Sequence, residues 1–324
     1  MFTDFISLAD LSRSEIEDLM DVADDLKQKQ HSGEVYQPLR GQTLAMIFEK
    51  PSLRTRVSFE VGIFQLGGLG VVLESGQIRL GQRESVPDAA RNLERWVDGI
   101  MARTFSHESV VELAEHATVP VINALTDKLH PCQVLADAQT LREHKGDDFS
   151  KLKLAFVGDG NNMYASWLNF ASRIPMNITL LCPPGYEGNQ EIYAAAKKDA
   201  QGDFTVTNDI AKGMADADVV YTDVWTSMGQ EDESADRLAA FGPYQVNADL
   251  MAKAKPDAIF MHCLPAKRGQ EVTDEVIDSP QSVVFDEAEN RLHAQKAIML
   301  RLMKRGDDGL CPKKRKHNAN ITTT

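Results

Sequence analysis

The sequence predicts an α/β protein made of two halves, each a doubly wound parallel β-sheet covered by helices on both faces. Three observations carry this reading. Short apolar runs alternate with helical patterns almost from end to end, which is the signature of βαβ units. The 324 residues are too many for one ordinary core and suit two domains of roughly 150 residues each. A polar stretch, Lys145-Gly146-Asp147-Asp148-Phe149-Ser150, separates two such series as a linker would.

The first half has predicted strands at 43–48, 69–73, 99–103 and 119–123. The second has them at 153–157, 177–181, 204–207, 219–222, 258–261 and 283–285. Helical periodicity fills 106–117, 133–144 and 189–200 between them. After Pro51, Val57, Val61 and Phe64 recur at helical spacing, so strand 43–48 leads through a tight turn into a helix with Ser52 at its N-cap. The final helical run, 287–304, is long enough to return to the first half. The expected division is 1–147 with a last helix at about 287–306, then 148–286, with a frayed polar tail over 307–324. The basic run near Cys311 in that tail reads as solvated charge, with a nuclear address or an anion patch as the alternatives.

Charge and composition exclude several classes. Charged residues make up 26% and hydrophobic ones 43%, an ordinary globular balance. The net charge of −13 argues against nucleic acid or an anionic membrane as partner. No apolar run approaches the roughly 18–20 residues of a membrane span, and the N-terminus has no signal-peptide pattern. The four cysteines, Cys132, Cys182, Cys263 and Cys311, match neither a disulfide framework nor a zinc ribbon. A reduced, cytoplasmic setting is the expectation.

Five segments carry chemistry. Ser52-Leu53-Arg54-Thr55-Arg56 places backbone N–H groups and two guanidinium groups at a positive helix end, which suits a phosphate; a solvated helix start reads the same residues otherwise. His130-Pro131-Cys132-Gln133 precedes or opens a helix, where an imidazole and an amide can polarise a carbonyl oxygen; a capping histidine and a core cysteine are the alternative. Gly158-Asp159-Gly160-Asn161-Asn162 follows a strand. It begins like a dinucleotide fingerprint, but Met163 holds the place of the third glycine, so two asparagines binding a small zwitterion fit better. Asp223 and Ser227 lie at a strand's carboxyl end, where a carboxylate can hold an ammonium group or cap a helix. His262-Cys263-Leu264-Pro265 ends another strand, and Arg291 stands in the final helix as a further cation for the site or an exposed arginine.

These segments, in this order, resemble the aspartate/ornithine transcarbamylase family from about Phe48 to Met299. Asp223 with Ser227-Met228-Gly229, the 158–162 turn and His262-Cys263-Leu264-Pro265 are similar to its ornithine carbamoyltransferase branch. The resemblance implies an active site in the cleft between a carbamoyl-phosphate-binding domain (1–147 with the last helix) and an ornithine-binding domain (148–286). Ser52, Leu53, Arg54 and Thr55 would hold the phosphate with Arg103. Thr55, Arg103, His130 and Gln133 would orient the carbamoyl group, with Cys263 and Leu264 near the δ-amine of L-ornithine and Arg291 near the carbonyl oxygen. Arg103, His130, Cys263 and Arg291 are thus the expected catalytic set. Asn162, Asp223, Ser227 and Met228 would hold the α-amino and α-carboxylate groups. No metal and no cofactor are expected. The family implies a homotrimer or a multiple of trimers, with residues near 77–84 entering the neighbouring site. The chain departs from the family pattern at Arg79, where a glutamine is expected, and at Tyr164, which would narrow the amino-acid pocket.

The implied reaction is attack of the neutral δ-amine on carbamoyl phosphate, giving citrulline and phosphate, with activity rising with pH. It would serve arginine biosynthesis or the arginine deiminase route. Competing readings are another acceptor (putrescine, an acylated ornithine or aspartate), a nicotinamide-dependent dehydrogenase, a zinc enzyme using His130, Cys132, His262 and Cys263, and a non-catalytic binding protein.

Overall fold

The computed structural model describes residues 2–74, 78, 80–226 and 231–304. In chain order the principal elements are α1 (Arg13–His31), β1 (Thr43–Phe48), α2 (Leu53–Gln65), β2 (Leu69–Glu74), α3 (Val86–Leu93), β3 (Gly99–Arg103), α4 (His107–His116), β4 (Val121–Leu125) and α5 (Pro131–Lys145). They continue with β5 (Lys153–Val157), α6 (Asn162–Ala171), β6 (Asn177–Leu181), α7 (Gln190–Asp199), β7 (Phe204–Thr207), α8 (Ile210–Met214) and β8 (Val219–Thr222). The last are α9 (Ser234–Phe241), α10 (Ala248–Met251), β9 (Ile259–His262), α11 (Asp274–Ile277) and α12 (Val284–Met303).

By contact the described residues form two units: 2–6, 28–127 and 295–304, and 7–27 with 128–294. The first holds a parallel sheet in the order β2-β1-β3-β4. Strand β1 is buried along almost its whole length, as an inner parallel strand must be. Ala45, Ile47, Ile100, Ala102 and Val121 pack with Val86, Ala90 and Leu113 from α3 and α4 on one face. The second unit holds a parallel sheet in the order β7-β6-β5-β8-β9. Phe156 at its centre stacks on Tyr221 at 5.3 Å between ring centroids, and Trp167 meets Tyr221 edge-on at 5.9 Å.

The α/β class and two parallel sheets are as expected; six of the nine strands have the expected bounds and the other three move by one or two residues. One predicted element is wrong. Residues 283–285 are not a strand: Val283 donates a single backbone hydrogen bond to Phe260, beside an isolated bridge between Phe260 and Ser282, and α12 begins at Val284. The apolar triplet reflects burial of Val283 and Val284, not strand pairing. The 307–324 tail lies outside the described residues.

Lys296 is buried in the first unit, where its ammonium donates to Gln30 Oε1 (3.1 Å) and Gln65 Oε1 (3.0 Å). Two amide oxygens do not replace bulk water, and burial lowers its pKa to about 8. The unfolded chain therefore binds more protons between about 8 and the ordinary lysine value, so stability rises with pH across that window. Denaturant midpoints measured across this range should increase for the wild type and lose the increase in Lys296→Met.

Candidate functional site

In the first sheet, β1 is flanked by β2 on one side and β3 on the other, so the winding reverses between β1 and β3. Ligands of such sheets bind outside the carboxyl ends of the strands at this reversal. Here β1 ends at Phe48, paired with Arg103 at the end of β3. The chain then turns through Pro51 into Ser52, an extended N-cap residue whose hydroxyl accepts from Thr55 N at 3.2 Å. Helix α2 thus presents its positive end at the strand tips. Thr55 is buried, Arg54 is half-buried, and the exposed Leu53 side chain leaves its backbone N–H as the group able to meet an anion. Arg103 is buried, and a register shift between Ala102 and Arg103 against β4 re-aims it.

The two arginines of the 52–56 segment differ. Arg56 pairs with Glu74 (2.6 Å) and Glu60 (3.5 Å), so it supplies no cation to the helix end. Lys50, missed in the sequence, is buried with its ammonium 4.5 Å from the centroid of the Phe105 ring. Burial lowers its pKa and neighbouring Arg103 lowers it further, against the opposing pull of Asp127 and Glu49. Its position two residues before Ser52 was the available signal.

The second sheet reverses between β5 and β8. After β5, Gly158 has φ +136°, and a Cβ on Gly160 would lie 2.5 Å from Gly188 N, so both positions require glycine. Asn161 then caps α6, accepting from Met163 N and Tyr164 N, and its amide donates to Asp223 Oδ2 at 2.7 Å across the reversal. Asp223 Oδ1 accepts from Val224 N (2.8 Å) and from the Cys263 thiol (3.2 Å). Three donors therefore fix a carboxylate at the tip of β8. Asn162, the predicted ligand, begins α6, and its carbonyl accepts from Ser166 Oγ (2.7 Å), which in turn accepts from His130 N (2.7 Å). Ser166 ties the 130–133 and 158–162 segments together and was not expected. Ser227, Met228, Gln77 and Arg79 lie outside the described residues. Tyr164 does not narrow a pocket; it is core, 5.7 Å from Phe156 between ring centroids.

Beneath these groups lies a buried polar network. Gln133 donates from Nε2 to Asp137 Oδ1 (2.7 Å) and Glu287 Oε1 (3.1 Å), while its carbonyl oxygen accepts from Arg291 Nη1. Tyr221 donates to Asp137 Oδ2 at 3.0 Å, and His262 N donates to Glu287 Oε2 at 3.0 Å. Both carboxyl groups are held by the same Gln133 nitrogen and the same Tyr221 hydroxyl. Burial pushes Asp137 up to about 7 and Glu287 well above the usual carboxylate range, Asp137 adding to the latter. His262 Nδ1 accepts from Leu264 N (2.8 Å), so the ring hydrogen sits on Nε2, which donates to Glu271 (3.1 Å). This holds Leu264 at φ +53°. Asp137 and Glu287 were missed, although an acid amid the apolar residues of α5 was a readable sign.

The zinc set is not assembled as read. Among the described residues His262 and Cys263 gather with Asp223, donor atoms within 4.8 Å, without His130 or Cys132, and both His262 ring nitrogens are engaged. Nor does the 158–162 turn suit a pyrophosphate, because the Asn161 side chain occupies the amides of the α6 N-terminus.

Two parallel sheets, each with one winding reversal, with a capped helix start at the first and a fixed carboxylate at the second, define a two-domain α/β class that binds small polar ligands at its strand tips. Residues 3–143 match the carbamoyl-phosphate-binding domain, and 150–302 the Asp/Orn-binding domain, of aspartate/ornithine carbamoyltransferases. The chain is 54% identical over 303 residues to the ornithine carbamoyltransferase of Oceanobacillus iheyensis, covering 93% of this chain and 94% of that one. It is 51% identical to that of Thermococcus kodakarensis, covering 93% and 96%. The solved ornithine carbamoyltransferase of Pyrococcus furiosus superposes with a TM-score of 0.88 at 48% identity, over 92% of this chain and 96% of that one. The protein belongs to the aspartate/ornithine carbamoyltransferase family.

Burial raises the Cys263 thiol well above the ordinary range, and the Asp223 carboxylate beside it adds to the effect. Cys263 is therefore a protonated donor and not a nucleophile. Its alkylation by iodoacetamide at pH 8 should be at least tenfold slower than that of a free cysteine, with the rate read by mass spectrometry.

Proposed function

We propose that this protein transfers the carbamoyl group of carbamoyl phosphate to the δ-amine of L-ornithine, giving L-citrulline and phosphate, with the charged groups of its two sheet reversals as the substrate sites. It is an enzyme, a carbamoyl-group transferase. The observation that carries the choice of acceptor is the Asp223 carboxylate, fixed by Asn161, Val224 and Cys263 at the carboxyl end of β8.

The first unit, with β1–α2 and Arg103, binds the phosphate: Ser52, Leu53, Arg54 and Thr55 offer backbone and side-chain donors, with Lys50 and Arg103 as buried cations. His130, Gln133 and Arg291 orient and polarise the carbamoyl group. Asp223 receives the α-ammonium group, Asn162, Ser227 and Met228 serve with it as ornithine-binding residues, and Cys263 and Leu264 serve the attacking amine. Attack generates a tetrahedral oxyanion, and donors already fixed in place stabilise the developing charge. Holding both reactants together supplies much of the remaining rate. The domain roles follow: 1–147 with the last helix for carbamoyl phosphate, 148–286 for ornithine. A cytoplasmic setting is supported by Cys182 and Cys263, which are in no disulfide among the described residues.

A homotrimer, with residues near 77–84 contributing to the neighbouring site, belongs to the same proposal. Its support is an apolar stripe on α2 (Leu53, Val57, Val61 and Phe64), continued by Leu69 and Val71 on edge strand β2, all exposed in the single chain. Sedimentation should give a trimer or a multiple of it, and Phe64→Glu should shift the protein toward monomer.

Citrulline formation tests the function. Purified protein given carbamoyl phosphate should turn over L-ornithine and not putrescine, N-acetylornithine or aspartate. Asp223→Asn should raise the KM for ornithine by at least tenfold and leave the KM for carbamoyl phosphate within twofold. Turnover of an acceptor without a free α-amino group would overturn the role of Asp223.

A further inference from the structure

The network under Gln133 contains more acid than the reaction described above uses. Asp137 on α5 and Glu287 on α12 are fully buried, and each accepts from the same Gln133 amide nitrogen and faces the same Tyr221 hydroxyl. Two ionised carboxylates this close would repel each other in a low-dielectric interior, and Arg291 is the cation set beside them among the described residues. One shared proton removes the conflict: the pair then carries a single negative charge, which Arg291 balances.

The hydrogen-bond pattern says where that proton sits. Asp137 takes the shorter bonds, from Gln133 at 2.7 Å and Tyr221 at 3.0 Å, one on each oxygen, as a carboxylate does. Glu287 Oε2 is filled by His262 N, and Oε1 has the longer contacts, 3.1 and 3.4 Å, leaving it the atom that bears the hydrogen and donates to Asp137. With both hydrogens of the Gln133 amide committed to the acids, its oxygen must face Arg291, and the amide cannot flip without setting its NH₂ against the guanidinium.

We propose that Asp137 and Glu287 are positioning residues that share one proton, and that this pair locks the Gln133 amide and, through it, the Arg291 guanidinium into the arrangement that receives the carbamoyl group. The inference rests on the functional reading above. Its specific consequence is that the pair governs recognition of the carbamoyl group and leaves phosphate binding untouched. Loss of the shared proton would place a second negative charge beside Arg291, drawing the guanidinium toward the acids and presenting an incoming anionic substrate with net negative charge.

Among the described residues, the other charged or titratable groups around the pair are Cys132 on α5, Tyr221 and Asp223 at β8, His262 and Cys263 at β9 with Glu271 behind His262, and Arg291 on α12. Burial raises Cys132 to about 12 and holds Tyr221 and Cys263 well above their ordinary values, so these three stay neutral around pH 7–9. Asp137, raised to about 7 by burial, and Glu287, raised well above the usual carboxylate range, are the acids that hold a proton near neutrality.

The test compares two probes: phosphonoacetamide, a stable phosphonate that keeps the carbamoyl amide, and inorganic phosphate, which lacks it. Dissociation constants are measured for the full-length protein from pH 6.5 to 9. Wild type should prefer phosphonoacetamide near neutrality and lose at least tenfold of that preference on the alkaline side. Glu287→Gln, whose amide donates to Asp137 without titrating, should keep the preference across the range. Asp137→Ala should lose it at every pH while binding phosphate within twofold of wild type. Infrared spectra of the folded wild type should show a protonated carboxyl band at neutral pH that Glu287→Gln lacks. Parallel pH profiles for wild type and Glu287→Gln, absence of that band, or equal weakening of both probes in Asp137→Ala would overturn the inference. A wild type with no preference for the amide probe at any pH would overturn the carbamoyl phosphate reading itself, and this inference with it.

Discussion

A parallel sheet can reverse its winding at one place, and at that place the loops leaving two neighbouring strands diverge to opposite faces. The gap between them is where main-chain donors and polar side chains can reach a ligand without breaking the sheet. In the first unit the gap lies between β1 and β3, and Ser52, Thr55 and Arg103 stand at its edge. In the second it lies between β5 and β8, bridged by the bond from Asn161 to Asp223. Every functional assignment made for this protein depends on those two reversals, because they bring together residues more than fifty positions apart in the chain.

Electrostatics then separates the two sites by sign. The chain as a whole carries −13, which repels an anionic substrate. The first reversal gathers a helix N-terminus, Lys50 and Arg103, while Arg56 is neutralised at the surface by Glu74 and Glu60. The second holds a carboxylate, Asp223, fixed by three donors. The Asp137, Glu287 and Arg291 cluster is buried within the second unit, where charge must balance.

Much of this was legible in the sequence, and the reasons are particular. Ser52 announced itself as an N-cap because a short polar side chain before a helical pattern has few other uses. Asp223 and the 158–162 turn were visible because they follow strands whose apolar runs are unmistakable. What stayed hidden depended on tertiary contact. The apolar residues 283–285 looked like a strand because burial and strand pairing select the same side chains. Tyr164 looked like a pocket residue because nothing local reveals that Phe156 lies beside it. Asp137 and Glu287 looked like ordinary helix acids, since their meeting joins positions 150 residues apart, a separation that no periodicity encodes. Lys50 was passed over because a lysine near a turn is normally solvated.

The central claim is that the two reversals bind the two substrates, the phosphate at one and the amino acid's ammonium group at the other. A crystal structure with a bisubstrate analogue joining a phosphonate to ornithine tests it most directly. The account predicts phosphonate oxygens on the backbone of residues 53–55 and on Arg103, with the α-ammonium group on Asp223. A phosphonate bound away from the α2 N-terminus, or an ammonium group turned away from Asp223, would contradict it.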